Sequence, residues 1–302
     1  MTTRLPHPIP YQGSKRGLSP LIGQYVPSDL KTWYEPFAGS AAMSLWAAHH
    51  ITPKRIILGD VLEPICDLWR AIIDHPDATS ARYNLVWQGH EQGGSGFFNE
   101  IRSRYNAERD PVDLLYIICR CVKNAVRFNK KGEFTQSVDK RRLGMAPTKM
   151  AAAILGASTL LRGRTEIRTG DWISTTSDAK TGDFVYMDPP YLGTSVGRDK
   201  RYAEQLASDR LIEGLSILLD KKTAFALSYD GSTGGKEYGP PLPNELGMTR
   251  LLLHAGKSSQ ATLAGRDEET IESLYLSPGL GKPVESVIKA VKREILQVEL
   301  AL

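Results

Sequence analysis

Cysteine is scarce in this chain: Cys66, Cys119 and Cys121 are the only three. An odd count with no CxxC pair argues against a disulfide framework and against a zinc site. The three are expected to be ordinary buried thiols, with Cys119 and Cys121 on different faces of a helix, and no metal is expected. Long apolar runs are absent too. No stretch of the 302 residues approaches the roughly 20 needed to cross a bilayer as a helix. Met1 to Pro10 holds three prolines and no apolar core, unlike a secretory signal. There is no internal repeat and no low-complexity tract. A soluble, cytoplasmic protein is therefore expected, of a size that can bury one substantial core.

What is present is an ordinary globular balance, 41% hydrophobic and 24% charged. The net charge of +4 decides little; its distribution says more. Arg120, Lys123, Arg127, Lys130, Lys131, Lys140, Arg141, Arg142 and Lys149 fall within thirty residues, against only Glu133 and Asp139. Such a stretch suits phosphate contacts, and equally a solvated face.

Patterning divides the chain. Residues 31–34 and 55–58 read as strands, and residues 40–49 and Glu63 to Asp74 as helices. Ile65, Leu68, Trp69, Ile72 and Ile73 share one face of the latter. Alternating strands and helices predict a parallel sheet. From His75 to about Arg168 the pattern is helical and basic. It is broken by the Gly-rich Gln92 to Gly96, continues in a long helix over Pro111 to Val126, and then a hairpin over Phe128 to Phe134 turns near Lys131-Gly132. The α/β pattern resumes near Thr165, with a strand ending at Asp188, a helix over Asp209 to Asp220, and a strand over Ala224 to Ser228. A hairpin of Leu251–His254 with Ile271–Leu276 and an amphipathic helix over Val284 to about Leu300 complete the pattern.

Three segments could carry chemistry. Glu35-Pro36-Phe37-Ala38-Gly39 lies where a strand turns into a helix. There a glycine admits close approach of a nucleotide and the helix end offers N–H groups. It does not match GxGxxG, and alone it is equally a tight turn. Asp60, at the end of the second strand, is placed to accept from ribose hydroxyls, or to cap a helix. Asp188-Pro189-Pro190-Tyr191 is the most specific. Its prolines stiffen the turn and remove N–H donors, so the Asp188 carboxylate and the Pro189 carbonyl can accept both hydrogens of an –NH2 group. Tyr191 can stack on the ring that bears it, as flipped bases are held.

In this order the segments resemble the Dam-type (D12 class) family of N6-adenine-specific DNA methyltransferases. Tyr11-Gln12-Gly13-Ser14-Lys15 resembles its N-terminal motif, and Glu35 to Gly39 its S-adenosylmethionine loop. Arg127-Phe128-Asn129-Lys130-Lys131-Gly132-Glu133-Phe134 resembles its DNA-recognition hairpin, and Asp188 to Tyr191 its catalytic motif. The family often has a second glycine where Ala41 stands here, and tends to follow the hairpin with Asn and Pro where Thr135-Gln136-Ser137 stands.

The resemblance implies a Rossmann-like methyltransferase sheet of residues 1–74 and 166–302, with a mainly helical DNA-recognition domain of 75–165 inserted. It implies S-adenosyl-L-methionine bound by Tyr11, Lys15, Glu35, Phe37, Gly39, Asp60 and Asp171. The flipped adenine would be held by Asp188, Pro189, Pro190 and Tyr191, and duplex DNA met by Arg127, Asn129, Lys130 and Lys131. A bacterial or phage-encoded enzyme, with a cognate restriction endonuclease as companion, is the implied setting. The acceptors alone would suit N4 of cytosine as well. An RNA substrate, or a nucleic-acid-binding module with a vestigial nucleotide site, also stays open from the residues alone.

Overall fold

The computed structural model describes residues 5–190, 208–233, 236–238, 241–257 and 269–280. Tyr191 and the helix expected over Val284 to Leu300 lie outside the described residues. Eight strands form one sheet: β1 (Thr32–Glu35), β2 (Arg55–Asp60), β3 (Thr165–Thr169), β4 (Phe184–Met187), β5 (Ala224–Thr233), β6 (Lys236–Tyr238), β7 (Thr249–Lys257) and β8 (Glu269–Leu276). Their order is β3-β2-β1-β4-β5-β8-β7, with β6 on the far end of β5. The first five are parallel, and β8 runs antiparallel to both β5 and β7. The expected parallel sheet and terminal hairpin are both present.

Strand composition explains the layering. Successive side chains of a strand point to opposite faces. Trp33, Ile56, Leu58, Phe184, Tyr186, Ala226, Leu274 and Leu276 enter one core. Their alternates Tyr34, Ile57, Val185, Met187, Phe225, Leu227 and Tyr275 enter another. With both faces covered, a central strand must be apolar almost throughout, as Phe184–Met187 of β4 is, whereas the edge strand β3 keeps Glu166 and Arg168.

The helices are α1 (Ser19–Gly23), α2 (Ala42–His50), α3 (Glu63–Asp74), α4 (Pro76–Glu108), α5 (Pro111–Arg120), α6 (Pro147–Leu161), α7 (Trp172–Thr175) and α8 (Ser208–Asp220). Leu211, Leu215 and Leu218 of α8 and Trp172 of α7 cover the second face. On the first face the core runs without a break from Trp33 and Trp46 through Ile72 to Tyr83, Tyr116 and Ile154. The α6 helix is tied to α3 by the Ser158 hydroxyl, which donates to the Ile73 carbonyl at 2.7 Å.

Two expectations about helices are corrected. The α4 helix passes unbroken through Gln92 to Gly96. Buried Tyr83 and Val86 anchor it before that stretch, and Phe98, Ile101 and Tyr105 after it, so packing overrides the glycine propensity. The helix expected to reach Val126 stops at Arg120. Asn124, at φ 51°, donates from its side chain to the carbonyls of Ile118 at 2.8 Å and Cys119 at 3.4 Å, capping the helix end. Cys121 then pairs with Val138, opening a long hairpin.

Glycine substitutions test this reading. Gly96 lies exposed in α4 with nothing within 4 Å of a built Cβ, so Gly96→Ala should stabilise by about 0.5–1 kcal/mol. Gly231 has φ +149°, and a Cβ there would stand 2.5 Å from the Ile271 carbonyl oxygen. Gly231→Ala should destabilise by roughly 1–3 kcal/mol. Urea unfolding of both variants checks the opposite signs.

Candidate functional site

Open α/β sheets hold ligands in the crevice beyond the carboxyl ends of the strands, where connections diverge to the two sides. Here that point lies between β1 and β4, which pair in parallel at Trp33–Phe184 and Tyr34–Val185. The turn after β1 and the Asp188-Pro189-Pro190 segment after β4 therefore leave the sheet side by side. Four of the segments singled out in the sequence meet around this point.

The turn after β1 is shaped by carboxylates. Asp60, the last residue of β2, accepts from the Gly39 amide at 3.0 Å and the Leu62 amide at 2.9 Å. The Trp69 indole N–H donates to the Gly39 carbonyl at 2.9 Å. Gly39 has φ +44°, and a Cβ there would lie 3.3 Å from the Tyr11 ring. Ala41 is also left-handed at φ 47°, a conformation that favours glycine. Glu35 turns to the start of α2, accepting from the Ser44 amide at 2.7 Å and from the Ser44 hydroxyl. That hydroxyl in turn accepts from the Trp33 indole N–H at 2.8 Å. Glu35 thus braces the turn from beneath.

The N-terminal segment closes one side. The Ser14 and Ser40 hydroxyls lie 2.8 Å apart. Lys15 Nζ lies 2.8 Å from Asp188 Oδ1 and 3.4 Å from Glu272 Oε2, and donates to the Gly13 carbonyl at 3.3 Å. Lys15, implied for the cofactor, therefore sits on the carboxylate of the Asp-Pro-Pro segment. Glu272, on β8, belongs to no motif. Its only sequence mark is a charge inside the mostly apolar run from Ile271 to Leu276, and strand alternation alone gives it no function.

Asp171 caps α7, accepting from the Ile173 amide at 3.1 Å, and pairs with Arg210 at 2.8 Å. Next to it, Trp172 lies 6.1 Å from the Phe37 ring, and the Gly170 amide donates to the Asp60 carbonyl at 2.9 Å. Phe37, Asp60 and Asp171 are thus brought to neighbouring strand ends.

Burial sets the charge states. It pushes the Glu35 carboxyl up to about 8, against the bonds from Ser44, and the Asp60 carboxyl up to about 6, against its backbone bonds. It also pushes Asp188 up to about 6, opposed by Lys15 and reinforced by Glu272. Tyr11 is held well above the usual phenol range by burial and by the charges of Asp60 and Asp188. Burial raises the thiols of Cys66, Cys119 and Cys121 to about 11, 12 and 12, which leaves them weak nucleophiles at neutral pH. Among the described residues no cluster of three His, Cys, Asp or Glu side chains could hold a metal ion, and no helix is long and apolar enough to cross a membrane.

The hairpin lies apart from these groups. Phe128 pairs with Phe134, and Gly132 turns at φ +75°. Asn129 shapes the turn: its side-chain oxygen accepts from the amides of Lys131 at 2.8 Å and Glu133 at 3.0 Å, and its nitrogen donates to Glu133 at 2.6 Å. Arg127, Lys130 and Lys131 are exposed. Phe128 and Phe134 point inward against Tyr105. Both rings therefore belong to the core beneath the hairpin rather than to its exposed face. Exposed Leu143, beside Lys140, Arg141 and Arg142, is the more accessible apolar group.

Comparison with known proteins gives a consistent picture. The model of the D12 class N6 adenine-specific DNA methyltransferase family matches residues 11–255. The chain is 24% identical to the Type II methyltransferase M.FokI of Planomicrobium okeanokoites, over 89% of this chain and 42% of that protein. It is 22% identical to the Type II methyltransferase M1.LlaDCHI of Lactococcus lactis subsp. cremoris, over 61% of this chain and 65% of that one. It is 24% identical to the DNA N-6-adenine-methyltransferase of Escherichia phage P1, over 71% and 29%. The chain thus spans less than two thirds of the length of each of these relatives.

The buried Glu35 makes a stability prediction. Its folded pKa of about 8 stands above the ordinary 4.5. Between those values the folded state keeps a proton that the unfolded state releases, so stability falls as pH rises through this window. Glu35→Gln has no such proton to keep. Its stability relative to the parent should rise from pH 5 to pH 9, by up to ~1.4 kcal/mol per pH unit between the two values. Urea unfolding across that range would show no widening gap if Glu35 were ordinarily ionised.

Proposed function

Since the chain belongs to the D12 class N6 adenine-specific DNA methyltransferase family, we propose that it transfers a methyl group from S-adenosyl-L-methionine to the N6 amino group of a flipped adenine in duplex DNA. The observation that carries this reading is Asp188, one-fifth exposed at the strand-end crevice and paired with Lys15. The residues around it fit a nucleoside donor. A glycine at φ +44° faces Tyr11, carboxylates stand at the ends of β2 and just past β3, and Phe37 lies beside Trp172. A crevice with Asp60 and Asp188 also suits a sulfonium cation. Tyr11, Phe37, Gly39, Asp60 and Asp171 would line its site, with Glu35 bracing the turn and Lys15 facing Asp188.

S-adenosylmethionine supplies the electrophilic methyl group. The protein's share is orientation and preorganised acceptors. Asp188 and the Pro189 carbonyl accept the two amino hydrogens of the adenine. The amino nitrogen then becomes more pyramidal and its lone pair is released from the ring. Pro189 is buried and Pro190 exposed, so the rigid turn fixes the carbonyl without offering a competing N–H. Tyr191 follows directly and stacks on the base in this reading. Proton loss follows transfer, so Asp188 acts as an acceptor rather than a strong base.

DNA is met by the region from 75 to 165, as a recognition unit inserted between the two parts of the catalytic unit, 1–74 and 166–302. Arg127, Lys130 and Lys131 face solvent at the hairpin and supply cations for phosphates, while Asn129 holds the shape of the turn. A cognate restriction endonuclease as companion is supported by the relatives named as Type II methyltransferases. A cytoplasmic setting in a bacterial or phage-infected cell goes with this reading.

The direct test is incubation of the chain with S-adenosylmethionine and plasmid DNA, followed by sequencing for modified bases. Methylated adenine supports the reading, and labelled N4 of cytosine or no transfer overturns it. Asp188→Ala should lower the single-turnover rate about a hundredfold or more while binding of S-adenosylmethionine persists; near-normal turnover would sink the mechanism. In the parent, Asp188 is ionised above a pKa of about 6, so the rate should fall as pH drops below 6, close to tenfold per unit. Lys130→Ala should weaken binding to specific and non-specific duplexes alike, and reduce the salt slope by roughly one.

A further inference from the structure

Glu272 reaches the site by way of a distortion in the sheet. The β5–β8 ladder pairs in regular register up to Ser228–Leu274 and resumes, after an irregularity, at Gly231–Glu272. Gly231, without a side chain, lets the β8 backbone pass where a Cβ would meet the Ile271 carbonyl at 2.5 Å. This close pass brings the Glu272 carboxylate to 3.4 Å from Lys15 Nζ, while Asp188 lies 2.8 Å from the same nitrogen. The lysine is 6% exposed and the two carboxylates 18% and 20%, so the three charges interact with little screening by water.

We propose that Glu272 is a positioning residue that acts on Asp188 through Lys15; this rests on the reading of Asp188 as acceptor of the amino group. A buried carboxylate needs a cation nearby to stay ionised. A cation bound to it alone would compete with the incoming amino group for the same oxygens. Glu272 resolves the conflict by giving Lys15 a second carboxylate. One ammonium divided between two carboxylates neutralises neither fully. As the amino group engages Asp188, the ammonium shifts its donors toward Glu272 and leaves acceptor capacity free.

The test compares the full chain with Glu272→Gln, Glu272→Asp, Lys15→Met and the double variant Lys15→Met with Glu272→Gln. Single-turnover methylation of duplex DNA is measured, with the dissociation constants of S-adenosylmethionine and DNA determined separately. Glu272→Gln should slow single turnover about tenfold with both dissociation constants within twofold of the parent. Glu272→Asp, which keeps the charge at shorter reach, should fall between the two. In the Lys15→Met background Glu272→Gln should have no further effect, because the route through the lysine is already cut. A wild-type rate for Glu272→Gln, or the same tenfold loss without Lys15, overturns the inference. Should Glu272→Gln not fold, Glu272→Asp decides: slower turnover with unchanged dissociation constants supports the role, and a wild-type rate overturns it. A parent that transfers no methyl group to DNA overturns both the proposed function and this inference, whereas an active parent with an unaffected variant overturns only the latter.

Discussion

The parallel pairing of β1 with β4 is the constraint on which the rest of the site depends. From β1 the chain runs outward to β2 and β3, and from β4 it runs the other way to β5. The turns that follow the two central strands must diverge, and a crevice opens between them. Pairing in register places the end of β1, with Glu35 and the turn to Gly39, beside Asp188. Strands buried on both faces hold that register firmly, because a slip by one residue would exchange the two cores.

The crevice gathers two buried carboxyls, Glu35 and Asp60, and the partly buried Asp188, and each is stabilised differently. Glu35 is bonded to the start of α2, and Asp60 to the amides of Gly39 and Leu62. Their partners are largely backbone groups that form part of the turns, so these bonds are fixed with the fold. Asp188 is instead met by a side chain, Lys15. A flexible ammonium can change partner without rebuilding the chain. Of the three, Asp188 is therefore the group best able to exchange its bonds for those of a substrate, and the Pro-Pro turn after it keeps backbone donors from competing.

Much of this was legible in the sequence. Alternating strands and helices read directly as a parallel sheet, because parallel strands need a crossover between them. The Asp-Pro-Pro segment was legible because proline restricts the backbone whatever surrounds it. Helix limits were less so. Glycine propensity argued for a break near Gly93, yet tertiary packing on either side of it outweighs a penalty of about 1 kcal/mol per glycine. The early end of α5 depends on Asn124 folding back on carbonyls, a contact that periodicity does not encode. The orientation of Phe128 and Phe134 is not legible in the sequence for a similar reason. Their aromatic character fits DNA as well as it fits a core, and only Tyr105, distant in sequence, decides between the two. Glu272 was invisible because its role comes from a glycine in the neighbouring strand and a lysine some 250 residues away.

The segment from Tyr11 to Lys15 shows how these parts act on one another. The Gln12 amide donates to the Asn124 carbonyl at 3.2 Å, at the root of the basic hairpin. Ser14 meets Ser40 in the turn after β1, and Lys15 meets Asp188 and Glu272. The Tyr11 ring packs on Gly39. Five consecutive residues thus touch the hairpin root, the loop after β1 and the Asp-Pro-Pro turn. These three groups leave the sheet on different loops. A short turn outside the sheet can meet all three: the Ser14 amide donates to the Tyr11 carbonyl at 3.2 Å, so consecutive residues face different neighbours. The hairpin root is thus bonded to the backbone three residues before Lys15, and Lys15 opposes the burial that raises the Asp188 carboxyl. The geometry in this way connects the exposed basic hairpin with the carboxylate at the crevice, through a lysine that is little exposed to water.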